Sequence, residues 1–181
     1  MNLALSAHPN ACPDTVKFVS VQIDRDRAGL QLWYVVEGDP SRLVVPPPQK
    51  PYRADGLWQT TCFELFLQDE GEGYREFNFS PSGQWAAYRF RAYREGREPL
   101  GLDSPPVIRS SPEPFGLLLS VSVRVEMGAN ARLGLSAIIE ETEGRKSYWA
   151  LAHPEGEPDF HHRDCFALEL PPARFDTSPR T

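Results

Sequence analysis

Leu118, Ser120, Ser122 and Arg124 alternate with Leu119, Val121, Val123 and Val125. A period of two sends successive side chains to opposite faces, the pattern of a strand with one covered side. The same rhythm returns where Phe18, Ser20 and Gln22 alternate with Val19, Val21 and Ile23. No segment carries a long apolar stripe at helical spacing, so the chain reads as all-β. Candidate strands are VKFVSVQID, GLQLWYVVEG, WQTTCFELFLQ, YREFNFS, QWAAYRFRAY, FGLLLSVSVRVEM, ARLGLSAIIEET, SYWALAH and CFALEL. The 18 prolines and 13 glycines fall between these runs, which suits short strands joined by turns.

So many strands in 181 residues predict one domain over 1–181, a two-sheet antiparallel β-sandwich without internal repeats. GAN, between VRVEM and ARLGL, reads as a hairpin turn. Residues 96–114, GREPLGLDSPPVIRSSPEP, read as a long irregular connection lying over one sheet. The tail at about 171–181, PPARFDTSPRT, is expected to be flexible.

The net charge of -6 argues against nucleic acid or an anionic membrane as partner. No apolar run approaches the length of about 20 residues that spans a bilayer. The opening MNLALSAHPNACPDTVKF lacks the basic start and apolar stretch of a secretory signal. Cys12, Cys62 and Cys165 cannot all pair within one chain, and no CxxC occurs. Reduced thiols in a cytoplasmic protein are the expectation.

Chemistry concentrates in YREFNFSPSGQWAAYRF, Tyr74 to Phe90, which reads as two strands around SPSG. Phe77 and Phe79 share one side; Tyr74, Glu76, Asn78 and Ser80 share the other. In the strand before it, Phe63, Leu65 and Leu67 point inward, with Cys62, Glu64 and Phe66 opposite. In SYWALAH, Trp149, Leu151 and His153 share a face. Carboxylates, amides and flat aromatics are the equipment of a sugar site, because paired hydroxyls take fixed hydrogen bonds and C–H faces pack on indole. Core tryptophans beside solvated carboxylates would leave the same letters.

A second cluster, HPEGEPDFHHRDCF, holds three of the four histidines. His161 and His162 are adjacent, so on a strand they would point apart. His153, Asp159 and His161 could converge from a loop as a zinc-like set, the basis of a metal-dependent hydrolase. Glu64 and Glu76 could form an acid–base pair if their strands are neighbours. QDEGEG could offer calcium Asp69, Glu70 and Glu72, but it lacks the ligand rhythm of an EF-hand and reads better as a hairpin tip. SPSG is not the GxSxG of a serine hydrolase.

DGLWQTTCFELFLQ, then YREFNFSPSGQWAAYRF, then SYWALAHPEGEPDFHHRDCFALEL resembles the DOMON-like proteins related to the family-nine carbohydrate-binding modules. The resemblance runs from about Val16 to Leu170, and its specific part is Arg53–Arg94 and Ser147–Phe166. It implies a jelly-roll-like sandwich holding a terminal sugar between two tryptophans. Trp58 matches one stacking tryptophan, Trp149 the second, and Glu64 a hydrogen-bonding acid. Asn78 stands where the sugar binders can carry arginine. Other members of the superfamily bind haem through histidine and methionine; here only Met1 and Met127 are present, neither in an obvious ligand context.

One unbroken strand over residues 58–64 would set Trp58 and Glu64 roughly 20 Å apart, too far for one monosaccharide. The resemblance therefore requires ADGLW to fold back over the sheet, with Lys50 and Arg53 near the mouth. The expectation is a non-catalytic domain, without cofactor, that binds a small ligand, a sugar or sugar derivative. Trp58 and Trp149 would stack on it, Glu64, Glu76 and Asn78 would hydrogen-bond it, and Arg53, Tyr88, His153 and His161 would border it. A protein-interaction sandwich, the hydrolase and a haem domain are the competing readings.

Overall fold

The computed structural model describes residues 1–172, so most of the expected flexible tail lies outside the described residues. Twelve strands are described: β1 (Asn2–Ala7), β2 (Phe18–Arg25), β3 (Gly29–Glu37), β4 (Cys62–Gln68), β5 (Tyr74–Phe79) and β6 (Trp85–Phe90). They continue as β7 (Glu98–Pro99), β8 (Val107–Glu113), β9 (Gly116–Arg124), β10 (Ala131–Glu140), β11 (Lys146–Ala150) and β12 (Leu168–Leu170). Among the described residues helix is confined to short 3-10 turns, none long or apolar enough to cross a membrane.

The protein is all-β, as the alternation requires. Instead of two separate sheets, the strands form one continuous antiparallel path, β7-β6-β5-β4-β10-β11-β1-β2-β3-β9-β8, with β12 beside β10. This path curls on itself, and β1 is the joint. Asn2 to Leu5 pair with β2, whereas Ser6 and Ala7 pair with β11. Val19, Val21, Leu32 and Tyr34 from one half meet Phe63, Leu65, Phe77 and Leu135 from the other in one apolar core. Tyr34 crosses that core, its ring 4.9 Å from Phe63 and its hydroxyl donating to the Glu64 carbonyl at 2.9 Å.

Three expectations are corrected. GAN makes no hairpin, because β9 pairs with β3 and β8 while β10 pairs with β4, β11 and β12. The segment is instead a crossing between the two halves. Residues 96–114 contain strands β7 and β8, the latter an edge strand that tolerates Pro112 because only one of its sides is paired. Residues 58–61 are not strand: Leu57–Gln59 is a 3-10 turn entered from Gly56 at φ 74, a conformation glycine adopts without penalty. The chain therefore turns between Gly56 and Gln59 instead of running on as strand.

Candidate functional site

β4, β5 and β10 are largely buried on both faces, and the face turned away from the main core is the one that carries polar side chains. Antiparallel register sets Glu64 opposite Asn78 on one side and Ser136 on the other. Glu76 lies opposite Phe66 on β4 and Tyr88 on β6. Glu64 and Glu76 are thus diagonal neighbours on adjacent strands. Around them a second apolar cluster gathers Phe66, Tyr74, Phe90, Ile138, Phe160 and Phe166.

Loops close this face into a cavity of about 660 Å³. Glu64, Glu76, Tyr88, Phe90, Ile138 and Tyr148 line it from the sheet. Trp58 lines it from the 3-10 turn, Arg94 and Arg97 from the loop after β6, and Pro158, Phe160 and His161 from the loop before β12. Asn10, Ala11 and Glu157 complete the wall.

The loop before β12 lies flat on the sheet because β10 has a glycine beneath it. A Cβ on Gly134 would stand 2.8 Å from the Cys165 carbonyl oxygen and 3.1 Å from the Phe166 ring. Arg132 Nε, donating to the Phe166 carbonyl at 2.6 Å, and Cys165 Sγ, donating to the Asp159 carbonyl at 3.2 Å, hold the loop there. Gly134→Ala is expected to lift that loop and destabilise the protein by about 1–3 kcal/mol, since overpacking strains backbone that cannot yield. Thermal denaturation of the variant checks this; an unchanged melting temperature would contradict the packing argument.

Electrostatics at the floor are dominated by burial. Glu64 is only 3% exposed, and Ser136 Oγ donates to its Oε2 at 3.2 Å. No other hydrogen bond to its carboxyl is made among the described residues. Burial, then the Glu76 charge, push its pKa up to about 8. Glu76 is also raised, chiefly by burial, although Asn78 Nδ2 donates to its Oε1 at 2.7 Å. Burial thus makes both acids harder to ionise, and the charge of Glu76 adds to the penalty on Glu64.

His161 sits edge-on to Phe66 and Phe90 at ring distances of 5.2 and 5.1 Å. Burial, then the Arg94 charge, pull its pKa down to about 4, so its ring is neutral at pH 7. The Arg94 amide donates to the Tyr74 hydroxyl oxygen at 3.1 Å, which leaves that hydroxyl to donate to His161 Nδ1 at 2.8 Å. This network assigns the ring proton to Nε2, which lies 3.9 Å from Glu76 Oε2. Arg94, at φ 55, ties the walls together through Asp159 Oδ1 at 2.7 Å. Arg97 stacks over Tyr88 at 3.9 Å and makes no carboxylate contact within 4 Å among the described residues.

Of the residues singled out by sequence, Trp58, Glu64, Glu76, Tyr88 and His161 meet around this cavity. Asn78 sits behind it, buried, holding Glu76. Arg53 pairs with Asp55 at 3.2 Å and lies over the Tyr88 ring at 5.2 Å, at the cavity's margin. Two do not join. Trp149 pairs with Ala137 on the inward-facing register, is 5% exposed in the main core, and donates its indole N–H to Ser147 Oγ at 2.9 Å. It cannot stack on a ligand in this cavity. His153 Nε2 contacts the Ser6 carbonyl at 2.8 Å, and its ring packs against His8 at 4.8 Å.

The metal set also fails to assemble. Asp159 is taken by Tyr93 and Arg94, and no group of three metal-ligating side chains converges among the described residues. In the QDEGEG hairpin tip, Asp69 pairs with Arg75 at 2.8 Å. Sequence reasoning missed Tyr148, Phe160, Arg94 and Arg97. Tyr148 stands next to Trp149 on β11 and so faces the opposite side of the sheet from the residue that the resemblance matched.

No protein-family model matches the sequence, and no curated protein matches it. Among solved structures, the fold is similar to that of a proposed carbohydrate-binding protein from Bacteroides uniformis, with a TM-score of 0.61 and 18% identity. The superposition covers 91% of this chain and 83% of the other. At that identity the likeness concerns the fold.

Proposed function

We propose that this protein is a non-catalytic binding domain whose outward cavity takes a sugar or sugar derivative. The observation that carries this reading is one concave site that joins an accessible indole to a floor of buried carboxyls. Trp58 is 53% exposed, unusual for so large an apolar side chain, and it borders the same cavity as Glu64 and Glu76. Indole offers a flat face to sugar C–H groups, and the acids offer fixed partners to hydroxyls. Tyr148 and Phe160 supply further aromatic surface in place of Trp149.

Likeness in fold to the Bacteroides protein, itself a proposed carbohydrate binder, supports the same reading. We also infer kinship with the DOMON-like sandwiches, on the sequence patterns around Trp58, Glu64 and Asn78. The free thiols Cys12, Cys62 and Cys165 fit a reducing, cytoplasmic setting.

Calorimetric titration with neutral mono- and disaccharides tests the proposal, with Kd expected between micromolar and millimolar, about -8 to -4 kcal/mol. Trp58→Ala is expected to weaken binding by roughly tenfold, as a stacked indole contributes about 1–2 kcal/mol. Because Trp58 is exposed, the variant should melt within a few degrees of the parent. Equal affinity for parent and variant would remove the stacking role.

A further inference from the structure

Glu64 and Glu76 form a buried acidic pair with no cation in direct contact among the described residues; Arg97 and Arg94 reach Glu76, and Arg94 reaches Glu64, only from longer range. Among the described residues, no lysine or arginine lies within 4 Å of either carboxyl, and the one ion-pair contact is His161 at 3.9 Å. His161 is neutral at pH 7 and offers only an N–H. The groups facing Glu64 are Glu76 and Asn78 from β5, Ser136 from β10, the Cys62 thiol on its own strand, and Arg94 at longer range. Arg94 is itself bonded to Asp159, and Arg97 stands on Tyr88 at the rim.

Burying an uncompensated acid is costly, and the simplest escape in a packed interior is replacement by apolar or amide side chains. Here the acids instead stand at the floor of an open cavity. Glu64, although 3% exposed, has a carboxyl oxygen with no hydrogen-bond partner among the described residues, and the residue lines that cavity. Trp58, Tyr148 and Phe160 supply aromatic surface around the acids. Aromatic faces and carboxylates together are suited to an organic cation, which gains from both the ring quadrupoles and the negative charge. A bare metal ion would want more oxygen ligands than two carboxyls supply.

Resting on the sugar-binding reading above, we propose that the ligand is an amino sugar whose protonated amine sits against the Glu64 and Glu76 carboxyls. Its ring stacks on Trp58, and its outer hydroxyls meet Arg97 and Glu157 at the rim. An ammonium group donates three hydrogen bonds, enough to engage the free oxygen of Glu64 and the Oε2 of Glu76 together. Its charge favours ionisation of the pair, so binding expels the proton that the free protein holds on Glu64.

The test is calorimetric titration of D-glucosamine and D-galactosamine beside glucose, galactose, their N-acetylamino forms and glucuronic acid. A slightly acidic buffer keeps the amines charged. Each hexosamine is expected to bind about tenfold or more tightly than its neutral parent, a difference near 1.4 kcal/mol. The observed heat should also change between two buffers of different protonation enthalpy, reporting the released proton. Glu64→Gln, similar in shape, should narrow the hexosamine-to-hexose affinity ratio by about tenfold. Hexosamines binding no better than neutral hexoses would overturn the amine inference and leave the sugar reading standing. Tightest binding of glucuronic acid would also overturn it, assigning recognition to the arginines. No heat from any sugar would remove both readings.

Discussion

Glu141→Ala should destabilise the protein by about 3–5 kcal/mol, the cost of leaving buried hydrogen-bonding groups without a partner. Glu141 is 1% exposed, and both of its oxygens accept hydrogen bonds. Oε1 takes the Thr15 amide at 2.6 Å, the Thr15 hydroxyl at 2.7 Å and the Val16 amide at 2.9 Å. Oε2 takes the Asp14 amide at 2.9 Å. One carboxylate thus fastens the loop between β1 and β2, which otherwise has few partners for those amides. Glutamine at this position would keep the shape but lose one acceptor oxygen, and its cost should be about half.

The pH dependence of that difference is a second reading of the same contact. Burial raises the Glu141 pKa, but the Thr15 hydroxyl and the three amides outweigh it and hold the carboxyl below its usual range. A depressed acid stabilises the fold above its unfolded pKa and loses that contribution as pH falls through the folded value. The gap between parent and Glu141→Gln in urea denaturation should therefore be full at neutral pH and shrink in acid, below roughly pH 4.5. A gap that stays constant would mean the carboxylate charge contributes nothing there.

How far such sites can be read from the sequence depends on whether a strand has one covered face or two. For β5, phenylalanines alternate with polar residues, so the alternation identified both the inward Phe77 and Phe79 and the outward Glu76 and Asn78. The bend that carries Trp58 to Glu64 was legible from Asp55-Gly56 together with the reach of an extended chain. β11 is different: Ser147, Trp149 and Ala150 are all buried, so hydropathy gives no parity, and the match of Trp149 to a stacking tryptophan rested on the resemblance alone. Proline and glycine hid β8, because an edge strand can carry a residue that donates no amide hydrogen bond. Arg94, Arg97 and Phe160 come from loops, where spacing along the chain predicts no common face. Glu141 gave no signal, since its partners lie 125 to 127 residues away.

Glu64→Gln should make the unliganded protein more stable, and increasingly so as pH rises. Folding lifts the Glu64 pKa from 4.5 to about 8. An acid raised in this way contributes fully below its unfolded pKa and becomes a liability as pH climbs to the folded value. At about 1.4 kcal/mol for each pH unit, that rise caps the effect at roughly 5 kcal/mol, and relaxation of the pair brings the expectation nearer 2–3 kcal/mol. Glutamine cannot ionise, so the two proteins should be similar at pH 4.5 and diverge toward pH 8, as followed by urea denaturation at a series of pH values. Glu76 will respond as well, because removing its neighbour's charge lets it ionise more easily. The combination of a more stable fold with poorer ligand discrimination would identify Glu64 as a residue kept for binding at the expense of stability. Parallel pH profiles for the two proteins would show instead that water reaches the carboxyl freely, and the acid floor would lose its energetic meaning.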